Sequence, residues 1–190
     1  MSDTETYLAT VAQNFEALRA DAGTIDSAAE VCISALQAGG KVIFCGNGGS
    51  AADSQHLAAE LMGRFLMDRD PLPALALTVD TSALTAIGND YGYDAVFARQ
   101  LRGIGKPGDV LVGLSTSGTS KNVVAAFEAA GQIGIRCIAM TGQAPSPMSQ
   151  MADVALQVPS GATNHIQEMH IAIGHIICGI VEARLCSAKP

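Results

Sequence analysis

The chain has 190 residues, 48% apolar and 15% charged, which suits one large cored domain and excludes a disordered segment. Its net charge of -7, with scattered Lys and Arg and no basic run, argues against binding to a nucleic-acid backbone. Trp is absent and aromatics are only 4%, so an aliphatic core is expected.

An amphipathic helix is predicted over 5–22, with Leu8, Val11, Ala12, Phe15 and Leu18 on one face and Gly23 as its stop. Asp26 and Ser27 open a second helix to about Ala38, halted by Gly39-Gly40. Lys41–Cys45 reads as a buried parallel strand, Gly46–Ser50 as a turn, and Ala51 to about Phe65 as a helix. Ala74–Thr78 is a second strand. Residues 81–88 are expected to be helical, Asn89–Tyr93 a loop, and 94–103 another helix. Asp109–Leu114 is a strand, followed by Ser115–Ser120 and a helix from Lys121 to about Gln132. Strands at Ile135–Met140 and Val154–Val158 and a long helix from about Thr163 to Leu185 complete the pattern. Alternating strands and helices predict one α/β domain, a doubly wound parallel five-stranded sheet of flavodoxin-like type. Residues 1–39 form an N-terminal helical extension, and a long C-terminal helix closes the chain.

The start, M-S-D-T-E-T, is acidic and unlike a secretory leader. The apolar stretch Ile171 to Val181 is too short to span a membrane. Five cysteines, an odd number with no C-x-x-C pair, sit among apolar residues. They read as reduced core thiols, which suits the cytoplasm.

Ligands of such sheets bind outside the carboxyl ends of the strands. Gly46–Ser50 brings backbone close to that edge, although a bare tight turn has the same composition. Ser115–Ser120 offers five hydroxyls and one glycine at a helix start, a neutral cradle for phosphate. A single N-cap at Thr119 or Ser120 would need only one hydroxyl. His56 and Glu60 are four residues apart and share a helix face, as metal ligands, a proton-transfer pair or a simple surface contact do. The last helix carries His165, Gln167, Glu168, His170 and His175. His175 lies among isoleucines, where a core histidine is the bland alternative.

The ordered set G-N-G-G-S, D-S-Q-H-L-A-A-E-L, N-D-Y, S-T-S-G-T-S and I-Q-E-M-H resembles the phosphoheptose isomerases, single sugar-isomerase (SIS) domain proteins, over essentially the whole chain. The resemblance implies sedoheptulose 7-phosphate as substrate, D-glycero-D-manno-heptose 7-phosphate as product, and a role in bacterial heptose and lipopolysaccharide biosynthesis. It implies a homotetramer with sites between subunits, the N-terminal helical pair packing in the oligomer. Substrate contacts would be Asn47, Gly48, Gly49, Ser50, Glu60, Asn89, Asp90, Ser115, Thr116, Ser117, Ser120 and Gln167. Glu60 and His175 would be the acid–base pair, and His56, Glu60, Gln167 and His175 a zinc site. Gln167 and His175 are eight residues apart, roughly 12 Å along an ideal helix. They meet at one ion only by leaning together, or if Gln167 sits on a frayed first turn. Two other readings belong to the same superfamily. One is a SIS-type protein that associates with a replication initiator, a group in which the positions of Glu60 and His175 are not Glu and His. The other is an isomerase of a different sugar phosphate.

Overall fold

The apolar runs at 42–46 and 110–114 bury every residue and that at 136–141 all but its first, so the central strands need cover on both faces, while the edge run at 154–157 is only partly buried. In the computed structural model, which describes residues 2–186, the strands are β1 (Val42–Gly46), β2 (Ala74–Ala76), β3 (Val110–Leu114), β4 (Arg136–Thr141) and β5 (Val154–Gln157). All pair in parallel, in the order β2-β1-β3-β4-β5. Alternate strand residues serve two cores. Val42, Phe44, Val112 and Met140 point to one face, while Ile43, Cys45, Leu111 and Cys137 point to the other.

The first core is covered by α2 (Ala22–Gln37), α3 (Gly49–Met62) and α8 (Thr163–Leu185). The second is covered by α5 (Val96–Ile104) and α6 (Lys121–Ile133). The remaining helices are α1 (Asp3–Leu18), α4 (Thr81–Tyr91) and the short α7 (Pro147–Met151).

Several boundaries differ from expectation. Helix α1 stops at Leu18, where a 3-10 turn over Arg19–Asp21 redirects the chain, and Gly23 lies inside α2. Its backbone is helical there, so it does not act as a stop. The predicted loop at Asn89 and Asp90 is the last turn of α4; Gly92, at a φ of 83°, is what ends that helix. Helix α3 ends at Met62 rather than Phe65, and α7, set by a capping box at Ser146 with Pro147 behind it, was not anticipated.

The turn after α3 is fixed from a distance. Glu182, near the end of α8, accepts the backbone N–H groups of Phe65, Leu66 and Met67 at 3.0, 2.7 and 3.0 Å and the Nε–H of Arg69 at 2.9 Å. Both side chains of the ion pair are 1% exposed. Burial pushes the Glu182 carboxyl up, but these donors outweigh it and hold the carboxyl below its ordinary value. Removing one partner of such a pair typically costs about 3–5 kcal/mol, because the other is left charged and buried.

All five cysteines are free thiols, four of them buried. Burial pushes Cys32, Cys137 and Cys178 up to about 12 and raises Cys45 as well, so these thiols stay protonated. Among the described residues no helix is long and apolar enough to cross a membrane.

His170 is fully buried, and its Nε2–H donates to the carbonyl of Thr141 at 3.2 Å. Burial lowers its pKa from 6.5 to about 4, against the smaller upward pull of that hydrogen bond. The unfolded chain therefore takes up a proton between these values that the folded chain refuses. Stability is complete above pH 6.5 and falls as the pH drops toward 4, by roughly 3 kcal/mol from this group. Denaturant melts of His170→Gln across that range should lack this limb of the profile.

Candidate active site

Because Gly46 of β1 pairs with Leu114 of β3, the two polar loops leave the sheet side by side. In the second loop Ser115 Oγ stands 2.8 Å from Ser120 Oγ and 3.4 Å from Ser117 Oγ, and it accepts the Gly118 N–H at 3.1 Å. The Thr119 hydroxyl donates to Ser117 Oγ at 2.9 Å. A paired amide ties the first loop to the helix behind the second. Asn47 Nδ2 donates to Asn122 Oδ1 at 2.8 Å, and Asn122 Nδ2 returns the bond to Asn47 Oδ1 at 2.9 Å. The Tyr93 hydroxyl also donates to Asn47 Oδ1, at 3.0 Å.

The helices differ in how they start, and α2 and α5 lack a side-chain cap as some of those at this edge do. Helices α1, α4 and α7 carry side-chain caps from Ser2, Asp80 and Ser146. Helices α3, α6 and α8 begin without one, at Gly48, Ser120 and Ala162. Ser120 occupies the N-cap position of α6, yet its hydroxyl turns to Ser115, so the hydroxyl cluster is not a capping device. First-turn N–H groups left without a side-chain acceptor suit an anion, and the helix dipole favours one. Thr116 and Ser117 also line a cleft of about 320 Å³, with Gly142, Gln143, Ser160 and Ile166.

A second group forms where α3 and α8 touch. Gly174 faces Leu57 so closely that a Cβ there would overlap the leucine side chain. That approach brings His175 against His56, Nε2 to Nε2 at 2.7 Å, and His56 Nε2 lies 3.2 Å from Glu60 Oε1. One ligand atom from each of the three falls within 4.8 Å of the others. The Phe65 ring stacks on His175 with centroids 5.7 Å apart. Asp53 is one turn before His56. Burial raises its pKa, partly offset by His56 and His175, and its Oδ2 is buried without a hydrogen bond among the described residues.

Gln167 is at the other end of the same contact. Helix α8 is continuous from Thr163, so the frayed turn that would let Gln167 meet His175 is absent. Its amide instead lies against Gly49, where a Cβ would come within 2.7 Å of Nε2. Within one chain the metal-capable trio is therefore His56, Glu60 and His175, with Gln167 beside the Gly46–Ser50 turn. Ser50 is buried in the first turn of α3. Asn89 and Asp90 are exposed at the end of α4, with the Asn89 amide donating to Asp90 at 2.8 Å.

A family model described as SIS domain matches residues 6–142. Over 175 residues the chain is 58% identical to a phosphoheptose isomerase of Akkermansia muciniphila, covering 92% of this chain and 93% of that protein. The chain belongs to the phosphoheptose isomerase family of SIS-domain proteins. Among solved structures, phosphoheptose isomerase GmhA from Neisseria gonorrhoeae matches with a TM-score of 0.89 at 44% identity, covering 95% of this chain and 97% of that one. A phosphoheptose isomerase from Francisella tularensis matches at 0.91 and 37% identity, covering 96% and 100%.

In this family member, sequence reasoning missed Asp53, Tyr93 and Asn122. Asp53 was legible from its helical spacing to His56. Tyr93 and Asn122 carry no local signal, since only the adjacency of β1 and β3 brings them to Asn47.

The Gly49 contact yields a specific expectation. Gly49→Ala displaces only the flexible end of Gln167, so the melting temperature should stay within a degree or two of wild type. Affinity for phosphate-bearing ligands should fall severalfold, as read by calorimetric titration.

Proposed function

We propose that this protein isomerises sedoheptulose 7-phosphate to D-glycero-D-manno-heptose 7-phosphate through an enediol, an early step toward bacterial heptoses. The observation that carries the reading is the meeting of Glu60 and His175 from separate helices, in a chain 58% identical to a phosphoheptose isomerase. Their presence also favours the enzyme over the initiator-binding relatives.

The ketose carries two hydrogens on C1 and a carbonyl at C2. Glu60 takes a proton from C1 and returns it to C2, while His175 moves the hydroxyl proton from O1 to O2. Each transfer needs a group able both to accept and to release a proton within reach of the sugar. His56, in contact with both, orients them. Asn47, Gly48, Gly49, Ser50, Ser115, Thr116, Ser117, Ser120 and Gln167 hold the phosphate end, with Asn89 and Asp90 at the rim. Two imidazoles and a carboxylate also fit the donor set of a zinc site with an open position. His56, Glu60 and His175 would hold the ion, and bound zinc polarises a substrate carbonyl.

We further infer a homotetramer. Tyr7, Leu8 and Phe15 of α1 and Ile176 of α8 are exposed, and Phe15, Leu18, Ile25 and Ile176 line an apolar groove of about 250 Å³. Ile176 adjoins His175, so a partner seated on this face would close the catalytic end against water. Reduced core thiols support placing the enzyme in the cytoplasm.

Glu60→Gln should lower turnover of sedoheptulose 7-phosphate by at least about a thousandfold while leaving the circular-dichroism spectrum unchanged. Substantial residual activity removes Glu60 from the base role. Light scattering and metal analysis of the purified protein should find four copies per particle and zinc bound in proportion to the trios; monomers or a zinc-free active enzyme would refute these two points.

A further inference from the structure

Glu60 is only two residues from the end of α3, where the last carbonyls lack intrahelical partners and a helix ordinarily frays. Here it cannot fray freely. The guanidinium of Arg69 donates to the carbonyls of Glu60 and Leu61 at 2.8 Å each and to those of Gly63 and Asp70 at 3.0 Å. A cation at a helix C-terminus is also favoured by the dipole. Arg69 is itself held by Glu182, which sits two turns beyond His175 on α8. The same carboxylate takes the N–H of Phe65, whose ring stacks on His175.

We propose that the buried Arg69–Glu182 pair positions both proposed catalytic groups, Glu60 through the carbonyl cap on α3 and His175 through the Phe65 ring. Neither residue touches the reacting atoms. The pair links the end of α3 to α8 and, together with the Gly174–Leu57 approach, holds the acid and the imidazole in register. The inference rests on the acid–base reading of Glu60 and His175. A carboxylate and an imidazole must both reach the sugar within hydrogen-bond distance, and small misplacement is expensive in rate.

The test compares steady-state kinetics of the full-length enzyme, wild type and variants, on sedoheptulose 7-phosphate well below each melting temperature. Glu182→Gln keeps shape and loses charge. Its kcat should fall about tenfold or more with KM near wild type, because the phosphate loops are untouched. Arg69→Lys, which keeps the charge but cannot cap four carbonyls, should lower kcat in the same way. Phe65→Leu leaves the ion pair in place and should lower kcat severalfold, again without raising KM. Leu101→Ala, in the core on the opposite face of the sheet, controls for destabilisation and should lower the melting temperature but not kcat. A folded Glu182→Gln with wild-type kcat overturns the proposal. Should that variant not fold, wild-type kcat in Phe65→Leu overturns it. If Glu60→Gln stays active, the acid–base reading fails and this one with it. If Glu60→Gln is dead while the positioning variants turn over normally, only the positioning role falls.

Discussion

The contact between α3 and α8 is the constraint on which the rest of the site depends. Gly174 removes the one side chain that would hold the helices apart, and Leu57 fills the space. With that distance set, His56, Glu60 and His175 converge at one end of the contact and Gly49 meets Gln167 at the other. A bulkier residue at 174 would spread both ends together, because helices in a close-packed core move as units.

The sheet provides the second fixed frame. Its parallel register places the ends of β1 and β3 together, so a glycine turn and a hydroxyl-rich turn form one polar edge. Helix starts without a side-chain cap leave first-turn N–H groups that need an acceptor from outside the helix. A phosphate ligand offers acceptor oxygens for them. On the proposed reading the division of labour is physical: dipoles and hydroxyls would hold the charged end, and titratable groups from two helices would handle protons.

Much of this was legible in the chain. The five strands were visible as short apolar runs, and the serine cluster stood out because one cap needs one hydroxyl. His56 and Glu60 were readable as an i,i+4 pair, and the structure keeps them 3.2 Å apart. Gly23 misled because its backbone stays helical and α2 runs straight through it. Asn89 and Asp90 read as a loop because polar residues favour turns, yet Gly92 two positions on is the true terminator. Gln167 was bracketed with the metal residues; within one chain its amide lies against Gly49.

By itself the sequence determined the alternation of strands and helices, the two-faced burial of the central strands and the residue types of the loops. These follow from periodicity and residue type, which are local properties. Only the tertiary structure decided that α3 lies along α8, that Asn47 pairs with Asn122, and that Arg69 and Glu182 tie one helix end to another. Periodicity says which face of a helix is buried, not which helix it meets. That choice rests on complementarity between residues more than 70 positions apart, and no local pattern records it.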